Sequence, residues 1–311
     1  MKKISVIGAG YVGSTTALKL AQDNLGDIVL VDREEGRPKG LALDIMQSLP
    51  LVGSSSKVTG TADPKDIKGS DIVIITAGKP RTPGMTREDL MRDNANIVKS
   101  IATYVKEQAP DCILIVVTNP LDIMTYLAKQ ITGFPKERVV GMAGILDSTR
   151  FRAFIGMELN TTVHEVSALV LGSHGDSMVP VPECSTVSGI PITKLMDKEA
   201  IDRLSERTRK GGGEIVGLLK TGSAYYAPAA CIAEMVRAIV NDEKKILPCS
   251  ALLEGEYDGK EVYIGVPVRL GSKGMEKIEV IDFESETKES LAKTIEAAKK
   301  NIETLKGLVE F

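Results

Sequence analysis

The sequence predicts an α/β protein: a doubly wound parallel sheet in the first half, joined to a second half of α+β character. Three observations carry this prediction. From residue 3 to about 145, short apolar runs rich in β-branched residues alternate with longer helix-like stretches. Within those runs hydrophobicity is continuous, as expected of strands covered on both faces by helices. Beyond residue 145 the texture shifts to longer strands and long amphipathic helices, which divides the chain into an expected domain at 1–145 and another at 146–311.

The expected strands of the first half are Ile4 to Ile7, Ile28 to Val31, Val58 to Thr61, Ile72 to Thr76, Ile113 to Val117 and Val139 to Gly141. Pro38, with its fixed φ and no N–H to satisfy, opens the helix reaching Leu49. Thr86 with Asp89 three residues on forms a capping box for the helix reaching Gln108. In the second half, Val163 to Leu171 reads as one strand, 198–219 and 226–241 as helices, and Leu247 to Leu253 with Val262 to Leu270 as further strands. From Ser285 onward, Leu291, Ile295, Ala298, Ile302, Leu305 and Val309 recur at helical spacing among lysines and glutamates, a stripe that packing alone explains. There is no internal repeat and no low-complexity linker, so the halves are expected to share an interface.

Composition excludes several classes of function. At 311 residues the chain can bury a sizeable core, and its net charge of -3 with scattered lysines and arginines leaves no footprint for nucleic acid or an acidic membrane. Cys112, Cys184, Cys231 and Cys249 lie far apart without a Cys-x-x-Cys pair. Neither a disulfide framework nor a metal site is expected, and free thiols suit a reducing compartment. The apolar run after Met1 is too short for a signal peptide, and no later run approaches the ~20 residues of a membrane span. The expectation is a cytoplasmic protein.

Gly8-Ala9-Gly10-Tyr11-Val12-Gly13 fits G-x-G-x-x-G, follows the first strand directly and opens a helical run ending near Gln22. That context marks a Rossmann phosphate loop. Gly8 permits the tight turn, Gly10 lets a diphosphate approach the backbone, and Gly13 lets the helix pack close to the sheet. Amide donors and the helix dipole favour the diphosphate's charge. Asp32, at the end of the second strand, is placed to accept hydrogen bonds from the adenosine ribose and to repel a 2′-phosphate, which favours NAD over NADP. Arg33 beside it works partly against that preference.

Four further segments carry chemistry-bearing residues. Thr76 to Arg87 is a Gly/Pro-rich loop at the ligand edge of the sheet, and Arg81 and Arg87 could close over an anionic substrate. A solvated loop with incidental charge is the alternative. Asn119, at the end of the next strand, can both donate and accept, though an asparagine before proline also forms ordinary turns. Asp147 and Arg150, three apart, share a helix face and equally fit a cap or a surface ion pair. Leu169 to Asp176 ends a strand in two glycines flanking His174, which read alone could be a strand-end cap.

Taken in order, and with Ala42-Leu43-Asp44, Thr118-Asn119-Pro120 and Gly222 to Pro228, these segments resemble the lactate/malate dehydrogenase family, in particular its lactate-dehydrogenase-like malate dehydrogenases of bacteria and archaea. The resemblance covers nearly the whole chain. It implies NAD-dependent hydride transfer between malate and oxaloacetate, with His174 as proton donor and acceptor and Asp147 as the acid that orients it. It makes Arg150 the fork for one carboxylate, Arg87 the group polarising the reacting carbonyl, and Asn119 a hydrogen-bonding neighbour. Asn94, Val117, Thr118 and Asn119 would line the nicotinamide side, with a cis peptide between Asn119 and Pro120. The family also implies a homo-oligomer, either a dimer or a dimer-of-dimers tetramer, of which the tetramer is the favoured expectation. Ser173 stands where many relatives have glycine and Thr149 where many have a smaller residue, which affects only fine loop geometry.

Charge accounting sharpens the substrate. Malate carries two carboxylates, which Arg150 and Arg81 can neutralise, leaving Arg87 for the oxygen where charge develops. Closing Arg81 over the methyl of pyruvate would strand a desolvated charge, so malate is favoured over lactate. The competing readings are a lactate dehydrogenase, an NAD-dependent glycoside hydrolase with a metal site, and a non-catalytic NAD-binding protein.

Overall fold

Runs of consecutive Ile, Val and Leu become strands here because helices cover both of their faces, so no position needs a polar side chain. The computed structural model describes residues 1–80 and 84–311. Its first half runs β1 (Lys3–Ile7), α1 (Tyr11–Gln22), β2 (Asp27–Val31), α2 (Gly36–Ser48), β3 (Val58–Thr61), β4 (Ile72–Ile75), α3 (Arg87–Gln108), β5 (Ile113–Val116), α4 (Leu121–Thr132), β6 (Val139–Gly141) and α5 (Gly144–Glu158). The six strands are parallel in the order β3-β2-β1-β4-β5-β6, with Ile4 opposite both Ile28 and Ile72. Strand order reverses between β1 and β4, and in such sheets a ligand crevice opens there at the carboxyl ends of the strands.

The second half continues with short strands β7 (Val166–Ser167), β8 (Val170–Leu171), β9 (Val179–Pro180), β10 (Thr186–Val187) and β11 (Ile190–Pro191). Helices α6 (Lys198–Leu219) and α7 (Tyr226–Val240) precede an antiparallel meander, β12 (Lys245–Glu254), β13 (Lys260–Gly271) and β14 (Gly274–Ile278), and α8 (Ser285–Leu308) closes the chain. The meander adds to the parallel sheet: Ser250 of β12 pairs antiparallel with Gly141 of β6. One nine-stranded sheet therefore runs through both halves. The larger core follows it and includes Ile4 and Val98 as well as Ile264 and Leu305. A smaller core of Phe151, Ile155, Val170, Met178 and Leu204 sits under α5 and α6. Among the described residues no helix is long and apolar enough to cross a membrane.

Several local expectations hold. The capping box forms with both of its halves, Thr86 accepting from Asp89 N–H and Asp89 accepting from Thr86 N–H. Others need correction. The run Val163 to Leu171 is not one strand but β7 and β8, which serve different partners, β10 and β9. Arg152 donates to the carbonyls of Val163 and Val166, using acceptors a longer ladder would need, and Val163 and His164 are exposed in a turn. Pro38 is the third residue of α2, not its first, still within the turn where an N–H has no helical partner. Leu49 belongs to the 3-10 turn that follows. Thr76 and Val117 lie one residue beyond the ends of β4 and β5.

Candidate active site

At the phosphate loop each glycine has a distinct reason. Gly8 has φ +109°, and a Cβ on it would meet Ala77 N at 2.6 Å. A Cβ on Gly13 would lie 1.8 Å from the Gly8 oxygen, whereas one on Gly10 would meet nothing within 4 Å. The backbone is thus closed towards the protein and open at Gly10. Helix α1 starts there with no side-chain cap and no acidic residue in its first turn, leaving amides and a positive dipole end for a diphosphate. Tyr11, exposed, stacks on Tyr225 with ring centroids 5.3 Å apart, and Val12 continues α1 into the large core. Asp32 is brought to this loop, where its Oδ2 accepts the Ala9 N–H at 2.7 Å.

Two supports of the loop were not singled out from the sequence. Arg37 donates from Nε to the Ala9 oxygen at 2.8 Å, and Thr76 Oγ1 donates to the Gly8 oxygen at 3.0 Å. Their only sequence signal was proximity to Asp32 and to the end of β4.

The carboxyl ends of β4 and β5 are laced together by side chains. Asn94, only 1 % exposed, accepts the Lys79 N–H at 2.7 Å and donates to the Lys79 and Asn119 oxygens at 3.1 and 2.7 Å. Its amide is committed to the backbone of the two loops. Thr118 does likewise, donating to the Ala77 oxygen at 2.6 Å, while Val117 extends β5 through its N–H to Ile75. The Asn119–Pro120 bond is cis, and the Asn119 side chain is exposed at the strand end. Arg81 lies outside the described residues. Arg87, the first residue of α3, pairs through Nη2 with Asp176 Oδ2 at 2.7 Å, which brings it to the loop that carries His174.

His174 finds the partner expected of it. Asp147, in the first turn of α5 and 1 % exposed, accepts from His174 Nδ1 at 2.7 Å and from Arg150 Nη1 at 3.1 Å. With Nδ1 directed at the carboxylate, Nε2 is the imidazole nitrogen left for a substrate. Burial disfavours the imidazolium, but the charge and hydrogen bond of Asp147 outweigh it and hold the His174 pKa above its ordinary 6.5, with Arg150 opposing and Asp122 assisting. Arg150 is 12 % exposed, and its Nε is buried without a hydrogen-bond partner among the described residues. A buried guanidinium with an unsatisfied N–H is a ready receptor for an anion.

The sequence also holds an unexplained triple glycine, Gly211 to Gly213, inside α6. Helix-interior glycine costs about 0.8–1 kcal/mol relative to alanine. Two of the three make room for Arg150: a Cβ on Gly211 would lie 3.3 Å from its Cδ, and one on Gly212 3.7 Å from its Nη2. Asp122, two residues beyond the cis proline, was likewise not singled out from the sequence. It is 6 % exposed, accepts the His174 N–H through Oδ2 at 3.0 Å and accepts from Ser250 Oγ through Oδ1 at 2.6 Å.

Known proteins resemble this chain over nearly its whole length. Residues 2–141 match the family model of the lactate/malate dehydrogenase NAD binding domain, and residues 145–309 match the model of the alpha/beta C-terminal domain. A malate dehydrogenase of a Roseiflexus species is 51 % identical over 306 residues, covering 98 % of this chain and 99 % of that protein. Among solved structures, the malate dehydrogenase of Picrophilus torridus superposes with a TM-score of 0.96 at 44 % identity, covering 99 % of this chain and 98 % of that one. A Cryptosporidium parvum lactate dehydrogenase, solved with lactic acid and β-nicotinamide adenine dinucleotide, gives 0.95 at 42 % identity and 98 % coverage of each chain.

Proposed function

The chain belongs to the lactate/malate dehydrogenase family, and we propose that within it the protein is a malate dehydrogenase that reversibly oxidises (S)-malate to oxaloacetate with NAD. The observation that carries the reading is the Asp147–His174 pair at 2.7 Å beside an Arg150 whose buried Nε lacks a partner among the described residues. That combination supplies a proton-transfer group and an anion receptor side by side.

When bound, NAD supplies the hydride acceptor that no side chain can provide. Gly8, Ala9, Gly10, Tyr11, Val12 and Gly13 are the candidates to hold its diphosphate, and Asp32 its adenosine ribose. Asn94, Val117, Thr118 and Asn119 hold the ends of β4 and β5 together and would line the nicotinamide side of the cofactor. In malate oxidation Nε2 of neutral His174 takes the hydroxyl proton while Asp147 stabilises the imidazolium. Arg150 holds one carboxylate as a fork, and Arg81 is assigned the other. Arg87, released from Asp176 when substrate arrives, faces the oxygen on which charge develops, with Asn119 as its hydrogen-bonding neighbour. In oxaloacetate reduction the same imidazolium returns the proton.

Structural neighbours include both malate and lactate dehydrogenases, so the choice of malate leans on Arg81 and the names of the nearer relatives. Comparing NADH oxidation with oxaloacetate and with pyruvate tests it: a higher kcat/KM for pyruvate would replace malate with lactate as the substrate. The role of His174 is tested separately. His174→Asn should abolish turnover while NADH binding persists, and retained turnover would remove the proton-transfer assignment. Residues 1–145 are assigned to the cofactor and 146–311 to the substrate. A homo-oligomer, tetrameric in preference to dimeric, is the expected assembly, with sedimentation velocity as its measure.

A further inference from the structure

Asp122 is the second residue of α4, and two other elements reach its carboxylate. Oδ2 accepts the backbone N–H of His174, and Oδ1 accepts the hydroxyl of Ser250, itself fully buried on β12. Ser250 in turn pairs with Gly141 of β6. The groups facing Asp122 are therefore Ser250 on β12, His174 on the loop after β8, and Asp147 on α5, with Arg150 acting on His174 beyond it. Among the described residues Asp122 makes no salt bridge with a lysine or arginine.

A neutral side chain would anchor the loop as well. Asparagine or serine can accept the same N–H, whereas burying a carboxylate carries a desolvation cost that an anchor alone does not require. What the carboxylate adds is charge, and the cationic side chain facing it is the His174 imidazolium. We propose that Asp122 is a positioning residue for the reaction, one that holds the His174 loop by its backbone N–H and lends a second negative charge to the imidazolium formed when His174 takes a proton. The proposal rests on His174 being the proton-transfer group. In the step itself the hydroxyl proton passes to Nε2 of His174, and Asp147 and Asp122 both remain ionised.

The electrostatics agree with the geometry. Burial pushes the Asp122 pKa up to about 6, against the Ser250 hydrogen bond and the charge of His174, which pull it down. Ionised Asp122 and protonated His174 therefore favour one another and titrate as a linked pair.

The test reads the histidine directly. With ε-13C-histidine labelling, the His174 resonance is assigned by loss of the other histidine, His164, in His164→Asn. Its titration is then compared in wild type and Asp122→Asn, whose amide can still accept the His174 N–H and donate to Ser250. The expected result is a downward shift of the His174 pKa of about one pH unit, with the acid limb of kcat/KM for malate moving alongside. KM for malate and Kd for NADH should stay within about twofold, as for a group that touches neither. A His174 titration and acid limb unchanged from wild type would overturn the proposal and leave Asp122 a structural anchor. If Asp122→Asn does not fold, Asp122→Ser carries the same comparison. If neither folds, the wild-type curve decides: a second inflection in the His174 titration where Asp122 ionises supports the pair, and a single-step curve overturns it. Activity surviving in His174→Asn would overturn the proton-transfer reading itself, whereas an inactive His174→Asn with an unmoved titration in Asp122→Asn sinks only the role of Asp122.

Discussion

Replacing Asp147 with asparagine removes one charge from the centre of the site and leaves its shape. In the native protein the carboxylate accepts from His174 Nδ1 at 2.7 Å and from Arg150 Nη1 at 3.1 Å, with its side chain 2 % exposed. A hydrogen bond to a charged group contributes about 1.5–3 kcal/mol, and one pKa unit corresponds to about 1.4 kcal/mol. Asp147→Asn should therefore lower the His174 pKa by about 1–2 units, and near neutral pH reduce kcat/KM for oxaloacetate about 10- to 150-fold. The direction follows from the native balance, in which burial lowers the histidine's pKa and Asp147 raises it above 6.5. With His174 as the proposed proton donor, reduction of oxaloacetate needs the imidazolium, so wild-type kcat/KM should be flat below the raised pKa and fall above it; in the variant the fall should begin at lower pH. On the same reading malate oxidation needs neutral imidazole and should gain rate as pH rises through the same value. Stability has a matching sign. Because the folded pKa is raised, the contribution of His174 is complete below the unfolded value of 6.5 and is lost as pH rises through the folded one. Asp147→Asn flattens that slope. Steady-state rates in both directions, collected across the pH range with urea unfolding at each point, check all of this. Limbs that stay in place in a folded Asp147→Asn would refute the reasoning.

Gly13→Ala sets a Cβ 1.8 Å from the Gly8 oxygen, and backbone must move to relieve it, so urea unfolding should show a loss of about 3 kcal/mol and NADH titration a collapse of binding. Native affinity in this variant would mean the loop is not packed as described. Gly211→Ala and Gly212→Ala form a contrasting pair, since the added Cβ lies 3.3 Å from Arg150 Cδ in the first and 3.7 Å from Nη2 in the second. Each should gain about 0.8–1 kcal/mol of helix propensity, but only Gly211→Ala should raise KM for oxaloacetate, by about tenfold. Equal KM values in the two would remove the link between the glycine and Arg150. Arg81→Gln should lower the ratio of kcat/KM for oxaloacetate over pyruvate by at least about 100-fold, and an unchanged ratio would dismiss Arg81 as the selector.

What could be read from the chain follows from how far each signal reaches. Strands such as Ile72–Ile75 and Ile113–Val116 are buried at every position, so a short local run announces them. The capping box at Thr86 and Asp89 is equally local. In the second half, β7, β8, β9, β10 and β11 are two residues long and are defined by their partners, so Val163 to Leu171 resembled one strand when it was two. The site divides in the same way. His174, Asp147 and Arg150 could be nominated from their motifs, but Asp122 acquires meaning only beside Ser250, 128 positions away. The glycines at 211 and 212 acquire theirs only against Arg150, on another helix. Hydrogen bonds such as Arg37 to Ala9 leave no periodicity to detect.

The single sheet that threads both halves has a mechanical consequence. Enzymes that swallow their substrate between two lobes need a hinge. Here a swing of one half against the other would have to shear the Ser250–Gly141 pairing, the His174–Asp122 bond and the Asp122–Ser250 bond, all in or beside the core. Such a frame should keep the phosphate loop and the Asp147–His174 pair at a constant separation. Accommodation of substrate is then delegated to short segments at the strand ends. On heating, a frame of this kind does not loosen its jaws before it melts, so the last active molecules in a sample should also be the last folded ones.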